Sequence, residues 1–169
     1  MLEQYNYNKM MNIRVGFGFD VHPLGEGREL WLGGIKFEFD KGCVGHSDAD
    51  VLLHAICDAL LGAANLRDIG FHFPNTSPKY LGADSKLLLA EVVDLLKKNN
   101  YAVGNIDATL SLEAPKINPH IKAMQEILAP IMEVTPNEIS IKATTNEKLG
   151  YIGRGEGVNA YAVALIYKK

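Results

Sequence analysis

Apolar residues recur along this chain in two kinds of pattern, one typical of strands and one typical of helices. Two early runs, residues 13–19 and 30–39, predict strands, and Gly33-Gly34 predicts a bend within the second run. Later runs predict strands over residues 106–112, 139–145 and 158–167. The last run is apolar on both of its faces, which indicates a subunit interface in a domain of this size.

Three other segments have helical spacing. The first spans residues 47–64 and is apolar around most of its circumference; we expect Ser47 to cap it and Asp50 to complete a capping box. The second spans about residues 84–99 and has one charged face. The third is predicted to begin with Asn118 as N-cap, and Pro130 is expected to kink or end it.

The resulting order, β-β-α-α-β-α-β-β, predicts a single α+β domain in which a mixed sheet carries its helices on one face. Between the first two helices, residues 65–83 are rich in Gly, Pro and Asn, which predicts a long loop. Loops of this length in compact domains often close over a site.

Composition narrows the class of protein further. With 169 residues, 47% of them hydrophobic, we expect one domain over residues 12–169, preceded by a frayed or disordered extension, residues 1–11. The net charge of −3 and the dispersed Lys and Arg residues argue against a nucleic-acid partner. Two cysteines indicate a reducing compartment. No stretch resembles a signal peptide or a membrane span, so we expect a cytoplasmic protein without a membrane partner.

A candidate metal site comes from two separate segments. Asp20 and His22 are two residues apart in a predicted strand, so both side chains leave the same face. His54 lies in the apolar helix, where an unpaired imidazole is costly to bury. Two nitrogens and one oxygen are ligands that catalytic zinc accepts while it keeps a fourth position open. Taken singly, each residue also has a purely structural interpretation, as a cap, a turn residue or a core histidine.

Two carboxylates stand one helical turn from His54. Asp50 and Asp58, four residues before and after it, are placed to accept the second ring N–H of the imidazole. Asp50 is equally well explained as the acid of the capping box, and both alternatives remain open.

Three further segments suggest anion or cation binding. His46 and Ser47 stand at the predicted start of the first helix, where free N–H groups favour a phosphate. The loop over residues 142–150 combines hydroxyls, cations and Glu147, which suits phosphate oxygens and a second, harder cation. In the glycine-rich segment 153–157, Arg154 is placed either to pair with Glu156 or to hold a phosphate.

With these segments placed, the chain resembles the 2-C-methyl-D-erythritol 2,4-cyclodiphosphate synthase family of the non-mevalonate isoprenoid pathway over about residues 13–168. The resemblance rests on these colinear segments: Gly18-Phe19-Asp20-Val21-His22, His46-Ser47-Asp48-Ala49-Asp50, Asp58-Ala59-Leu60-Leu61-Gly62-Ala63-Ala64, Asp68-Ile69-Gly70, Gly82-Ala83-Asp84-Ser85, Ala114-Pro115-Lys116, Lys142-Ala143-Thr144-Thr145 and Gly150-Tyr151-Ile152-Gly153-Arg154-Gly155-Glu156-Gly157.

The resemblance implies an enzyme, a phosphorus–oxygen lyase that cyclises 4-diphosphocytidyl-2-C-methyl-D-erythritol 2-phosphate and releases CMP. It implies a homotrimer with active sites between subunits, one Zn²⁺ per subunit on Asp20, His22 and His54, and a Mg²⁺ or Mn²⁺ that bridges the substrate diphosphate. Glu147 would belong to the second metal site. His46 and Thr145 would stabilise the transition state.

The resemblance also implies the residues that would contact the substrate. They would bind its erythritol hydroxyls, its phosphates and its cytosine, and they are Asp20, His22, His46, Ser47, Asp68, Ile69, Gly70, Phe73, Pro74, Asn75, Thr76, Ser77, Ala114, Pro115, Lys116, Ile117, Thr144, Thr145, Asn146, Glu147, Tyr151 and Arg154. Asn75 and Ser77 stand where the family commonly has acids, Asn146 replaces a hydroxyl residue and Tyr151 replaces a phenylalanine, so we expect differences in substrate contacts.

Two other functions compete with cyclisation. Some metallophosphoesterases also begin with an Asp-x-His ligand pair, but this chain lacks the later Gly-Asp or Gly-Asn-His-Asp segment that would build a second metal site. A metal-stabilised trimeric binding module is the other alternative, and it would bind zinc without turnover.

Overall fold

The computed structural model describes residues 12–169, and the predicted N-terminal extension over residues 1–11 lies outside the described residues. The strands are β1 (Ile13–Glu26), β2 (Leu30–Leu32), β3 (Ile35–Phe37), β4 (Lys41–Cys43), β5 (Tyr101–Ser111), β6 (Ile139–Thr144) and β7 (Gly157–Lys168). The helices are α1 (Val51–Ala63), α2 (Ile69–His72), α3 (Ser85–Lys98), α4 (Ile121–Met132) and α5 (Gly150–Gly153). None of the helices within residues 12–169 has the length and apolarity needed to cross a bilayer.

The main sheet has five strands in the order β4-β1-β7-β5-β6. Strands β1 and β7 pair antiparallel, as do β5 and β7, whereas β5 and β6 are parallel. Strands β2 and β3 form a separate hairpin that turns at Gly33-Gly34, both of which have positive φ. The mixed sheet with its helices confirms the α+β fold expected from the sequence.

Helix α1 lies against β1 and β7 on one face of the sheet, with α3 and α4 beside it over β5 and β6. Two glycines on β1 allow this close approach. A Cβ at Gly16 would lie 1.9 Å from the carbonyl oxygen of Ala59, and a Cβ at Gly18 would lie 1.9 Å from that of Ala55. Because side chains two residues apart share a face of the strand, Asp20 and His22 also face α1.

The other face of β1 and β7 carries large apolar side chains that this subunit leaves in solvent. Val15 and Phe17 are 65% and 64% exposed, and Tyr161 and Val163 on β7 are 40% and 41% exposed. Contiguous apolar surface of this kind marks an interaction site. Strand β7 therefore has apolar side chains on both faces. The helices cover one face, and no element within residues 12–169 packs against the other.

The start of α1 differs from expectation, because Asp50 and not Ser47 is the N-cap. The Asp50 carboxylate accepts hydrogen bonds from the amides of Leu52 and Leu53. Its two oxygens also accept from the amides of Gly33 and Gly34, at 3.0 and 2.7 Å. Asp50 is 1% exposed, so it fastens the β2–β3 turn to the first turn of the buried helix. The sequence pattern could not show this second role because the two glycines lie 16 and 17 residues earlier.

Asp50→Ala is expected to lower the free energy of unfolding by about 3 kcal/mol, since it removes a helix cap and leaves buried amides without partners. Asp84→Ala is the matched control, because Asp84 caps α3 through the single amide of Lys86; its expected cost is about 1 kcal/mol. Urea unfolding at one fixed protein concentration measures both variants. Equal losses would show that the bonds to the glycine turn contribute nothing.

Other element boundaries also differ from those predicted from the sequence. Helix α4 begins at Ile121 after a 3₁₀ turn over Asn118–His120, and Asn118 makes no side-chain cap. Pro130 neither ends the helix nor stands outside it, since α4 continues to Met132. The predicted loop over residues 65–83 contains α2 and a 3₁₀ turn over Pro78–Tyr80. These short elements depend on local tertiary contacts that hydrophobic spacing does not encode.

Candidate active site and metal centre

Asp20, His22 and His54 converge at the interface between β1 and α1. Asp20 Oδ2 lies 2.9 Å from His54 Nδ1 and 3.0 Å from His22 Nε2. The two ring nitrogens lie 3.2 Å apart. The triad predicted from strand and helix spacing is confirmed as a group that can hold a metal ion.

The dimensions of this triangle fit a tetrahedral zinc ion. Zn–N and Zn–O bonds of about 2.0–2.1 Å put neighbouring ligand atoms of a tetrahedron about 3.3 Å apart. The observed separations of 2.9, 3.0 and 3.2 Å are close to that edge length. Three ligands on one side leave the fourth direction open, which is the arrangement of a catalytic site.

Electrostatic interactions within the triad determine the charge of its carboxylate. Partial burial acts to raise the pKa of Asp20, but hydrogen bonds and charge from His22 and His54 outweigh it and lower that pKa to about 2. Burial acts to lower the pKa of His54, yet the hydrogen bond and charge of Asp20 raise it overall. Asp20 is therefore ionised at neutral pH and supplies the negative charge of the site.

The second nitrogen of His54 has serine partners. Its Nε2 lies 3.0 Å from Ser85 Oγ and 3.2 Å from Ser47 Oγ. The Ser85 hydroxyl donates to Asp48 Oδ1 at 2.5 Å, and its amide donates to Asp48 Oδ2 at 2.9 Å. Since that hydroxyl gives its proton to Asp48, it accepts from His54 Nε2–H, and this tautomer leaves Nδ1 free for a metal.

Neither carboxylate expected beside His54 fills this role. Asp50 binds backbone amides, and Asp58 accepts from the amide of Ile69 at 2.7 Å, which fixes the start of α2. Sequence spacing missed Ser85 because it lies 31 residues from His54, although its segment belongs to the family resemblance.

Ser85→Ala is expected to weaken metal binding about ten-fold, because residues that orient a metal-binding histidine contribute about 10–100-fold to affinity. Zinc affinity measured by competition with a chromophoric chelator checks this value. Ser77→Ala is a suitable control, since only the Ser77 backbone carbonyl contacts a site residue, His46. Unchanged zinc affinity in Ser85→Ala would show that Ser47 alone orients the ring.

A cavity of about 550 Å³ opens beside the metal site. Most residues of the predicted metal and erythritol regions line it: His22, His46, Ser47, His54, Ile69, Gly70, Phe73, Pro74, Asn75 and Thr76, together with Val44, Gly45, Tyr80 and Leu88. His46 Nε2 lies 3.2 Å from the Ser77 carbonyl oxygen. Asp68 and Ser77 stand next to these lining residues in the chain and do not themselves line the cavity.

The start of α1 does not provide the anion site expected there. Its first amides, those of Leu52 and Leu53, already donate to the Asp50 carboxylate. A negative side chain therefore occupies the position where a phosphate would be attracted. His46 and Ser47 line the cavity, and the amides of Leu52 and Leu53 are not free to bind an anion.

A second cavity, of about 350 Å³, lies between the ends of β5 and β6. It is lined by Leu112, Glu113, Pro115, Lys116, Ile117, Asn118, Pro119, Ala143, Thr144 and Thr145. The structure thus brings the predicted cytosine segment together with the predicted phosphate-binding threonines. Thr145 Oγ1 donates to Glu147 Oε1 at 3.1 Å, just outside the cavity. Ala114 and Asn146 do not line it.

Arg154 and Tyr151 lie apart from both cavities. Arg154 pairs with Glu156 through two bonds of 2.8 Å, which agrees with the pairing alternative. The Tyr151 hydroxyl accepts from the Asn159 side chain at 3.2 Å.

Both cavities lie at the same end of the sheet. Four residues form one row across the sheet. Asp20 on β1 pairs with Ala160 on β7, Ala160 pairs with Leu110 on β5, and Leu110 pairs with Ala143 on β6. Three strand spacings of about 4.8 Å put the two ends of this row about 15 Å apart. The exposed apolar face of β1 and β7 lies on the side of the sheet opposite the helices.

Comparison with known proteins agrees with this geometry. A family model described as the YgbB family matches residues 13–167. A Cytophaga hutchinsonii protein named 2-C-methyl-D-erythritol 2,4-cyclodiphosphate synthase is 63% identical over 158 residues, which cover 94% of this chain and 99% of that protein. A protein of the same name from Porphyromonas gingivalis is 62% identical, with 90% of this chain and 94% of that protein covered.

Solved structures show the same similarity. The bifunctional IspDF of Campylobacter jejuni matches with a TM-score of 0.90 and 39% identity, over 94% of this chain and 43% of that chain. The CDP complex of Plasmodium falciparum IspF matches with a TM-score of 0.82 and 33% identity, over 94% of this chain and 97% of that chain. The chain therefore spans less than half of the bifunctional protein and almost the whole of the other.

Proposed function

The chain belongs to the YgbB family and is 63% identical to two proteins named 2-C-methyl-D-erythritol 2,4-cyclodiphosphate synthase, and we propose that its two cavities hold the two ends of one substrate. The enzyme converts 4-diphosphocytidyl-2-C-methyl-D-erythritol 2-phosphate to 2-C-methyl-D-erythritol 2,4-cyclodiphosphate and CMP. It is a lyase of isoprenoid precursor biosynthesis. The observation that carries the proposal is the triangle of Asp20, His22 and His54, whose two histidines line the larger cavity.

The reaction is an intramolecular phosphoryl transfer. An oxygen of the 2-phosphate attacks the β-phosphorus of the same molecule, and the bond from that phosphorus to the CMP oxygen breaks. The attacking phosphate is already anionic at neutral pH, so no side chain needs to take a proton from it. The main tasks of the protein are to fold the substrate for in-line attack and to stabilise the charge on the diphosphate.

Asp20, His22 and His54 would hold one zinc ion, which would supply Lewis acidity to the reaction. His46 stands in the same cavity, where its ring is fixed by the Ser77 carbonyl, and we assign it to transition-state stabilisation together with Thr145. Glu147, which already accepts from Thr145, would bind the Mg²⁺ or Mn²⁺ of the diphosphate.

The remaining contacts divide between the two cavities. Asp68, Ile69 and Gly70 would bind the erythritol hydroxyls, and the segment from Phe73 to Ser77 would cover them. The segment from Ala114 to Ile117 would bind the cytosine, since its last three residues line the smaller cavity together with Thr144 and Thr145. Asn146, Tyr151 and Arg154 would complete the site from its periphery.

We place the two halves of each active site on neighbouring subunits of a homotrimer. Within one subunit the larger cavity and the smaller cavity have no lining residue in common. The apolar face of β1 and β7 offers the surface through which subunits would meet, with Phe17 and Val15 each about two thirds exposed. The smaller cavity of one subunit would thereby meet the metal cavity of its neighbour.

A cytoplasmic location is consistent with the two cysteines. Cys43 and Cys57 are both free and buried, and burial raises the pKa of the Cys43 thiol to about 12, so it stays protonated and unreactive.

One assay distinguishes cyclisation from its rivals. The purified protein is supplied with the cytidine diphosphate ester, with and without a chelator, and the products are followed by ³¹P NMR. Cyclic diphosphate with one equivalent of CMP supports the proposal, provided that the chelator stops both. A linear hydrolysis product would indicate a phosphoesterase, and zinc binding without any product would indicate a binding module.

A further inference from the structure

Glu113 stands at the junction between the two segments that form the smaller cavity. It follows Leu112, whose amide donates to the Thr144 carbonyl at 3.0 Å and so extends the pairing of β5 and β6 by one residue. Its side chain is 10% exposed, although it lies in a connecting segment. Neither the sequence pattern nor the family resemblance gives Glu113 a role.

The carboxylate of Glu113 binds the loop that follows β6. Oε1 accepts from the amides of Asn146 and Lys148, at 3.0 and 3.3 Å, and Oε2 accepts from Lys148 Nζ at 2.8 Å. The Lys148 ammonium holds the pKa of Glu113 below its ordinary value, although desolvation opposes this. Glu113 is therefore an ionised group with three donors from one short loop.

The conformation of that loop is unfavourable by itself. Glu147 and Lys148 have φ values of 50° and 65°, in the left-handed region that residues with a side chain rarely occupy. Two such residues in succession persist only where their surroundings hold them in place. The two amides bound by Glu113 flank Glu147. The Glu113 carboxylate therefore acts as a clamp that holds the backbone on both sides of Glu147.

We propose that Glu113 is a positioning residue for nucleotide binding, which holds the loop of Thr145, Asn146, Glu147 and Lys148 in the shape that receives a cytidine diphosphate. The proposal rests on the proposed function, because that function assigns Thr145 and Glu147 to the diphosphate. Glu113 needs no contact with the ligand. It acts by keeping Thr145 and Glu147 in place beside the cavity before the nucleotide arrives.

This role leads to a specific kinetic signature. When the Glu113 side chain is removed, only a fraction of the molecules have the loop in the conformation that binds the nucleotide. The apparent affinity for the nucleotide is then reduced in proportion to that fraction. A saturating substrate recovers the competent loop, so the maximal rate is retained. Glu113→Ala is expected to raise KM for the substrate and Kd for CDP about ten-fold, with kcat within about two-fold of wild type.

Glu113→Gln keeps one acceptor oxygen and the shape of the side chain. It is expected to show a smaller rise in KM, about three-fold. Lys148→Met removes only the ammonium partner of Glu113, and the exchange of the Asn146 and Lys148 amides is expected to stay within about two-fold of wild type, because both backbone amides keep their acceptor.

Glu138→Ala is the matched control for the loss of a carboxylate clamp. Glu138 accepts from the Thr135 amide at 2.7 Å, just before the opposite end of β6. Its removal is expected to leave CDP binding unchanged.

The experiment uses the zinc-loaded protein and combines CDP titration calorimetry, steady-state kinetics and amide hydrogen exchange of residues 144–150. Support requires that the exchange of the Asn146 and Lys148 amides accelerate about ten-fold in Glu113→Ala, in step with Kd. A raised Kd with unchanged exchange would overturn the proposal and indicate a direct ligand contact, and an unchanged Kd would also overturn it.

Absence of cyclic product from the wild type would refute the proposed reaction, while CDP binding and exchange would still test Glu113. If Glu113→Ala fails to fold, the graded effect in Glu113→Gln decides, and wild-type CDP affinity and exchange in that variant would overturn the proposal.

Discussion

His54→Ala is expected to abolish both zinc binding and cyclisation. The variant keeps two of the three ligand atoms, and Asp20 loses the imidazole that lies 2.9 Å from it. Since loss of a group that merely orients a ligand costs about 10–100-fold in metal affinity, loss of the ligand itself should cost at least about 100-fold. Turnover is expected to fall below detection at stoichiometric zinc.

Zinc content after gel filtration, measured by inductively coupled plasma mass spectrometry, checks the first effect, and CMP release checks the second. His120→Ala is the matched control, because His120 packs edge-on against Phe37, with ring centroids 4.9 Å apart, and is not among the metal-binding residues. Circular dichroism establishes that both variants fold. One zinc per subunit in folded His54→Ala would show that His54 is only a core residue.

Phe17→Glu is the second variant with a large expected effect, because it places a carboxylate in the middle of the exposed apolar face. Phe17 lies level with Val163 on β7, and its ring centroid is 6.5 Å from that of Tyr161. An unpaired charge buried at a subunit interface costs several kcal/mol, which is enough to dissociate the proposed trimer. Activity is expected to fall at least about 100-fold, since each active site would lose the half supplied by its neighbour.

Light scattering coupled to gel filtration measures the oligomeric state, and zinc content tests whether the subunit is intact. Zinc binding should persist, because Phe17 lies on the face of β1 opposite Asp20 and His22. Leu87→Glu is the matched control: Leu87 is 63% exposed, like Phe17, but lies on α3 in the helix layer. A fully active Phe17→Glu monomer would refute the shared active site.

The two variants test independent parts of the site. His54→Ala removes a proposed metal ligand and leaves the proposed subunit interface unchanged, whereas Phe17→Glu changes that interface and leaves the three proposed metal ligands in place. Trimers of His54→Ala together with zinc-bound monomers of Phe17→Glu would show that assembly and metal binding are separable requirements for cyclisation.

Local sequence patterns were most informative where the structure is periodic. The alternation of a strand places Asp20 and His22 on one face, and the uniformly apolar helix requires a partner for His54; together these features identify the metal triad. The same alternation identifies β7 as apolar on both faces. The colinear family motifs extended this local information to the reaction and to the two groups of substrate residues.

The tertiary structure decided which distant groups meet. Asp50 binds the amides of Gly33 and Gly34, Ser85 and not Asp58 orients His54, and Glu113 holds the loop after β6. Each of these contacts joins residues at least 16 positions apart. Hydrophobic periodicity reports which face of an element is buried, but not which polar group lies opposite it.

The sequence by itself therefore determined the α+β class, the main elements and the metal-binding triad, because these follow from short-range spacing and from matched motifs. Only the tertiary structure decided that the three ligand atoms of the triad lie close enough to share one metal ion, that Asp50 caps the start of α1, and that most of the predicted substrate residues line two separate cavities. The physical reason is that distances and hydrogen-bond partners arise when helices and strands pack, and the close approach of α1 to Gly16 and Gly18 is what carries His54 to Asp20.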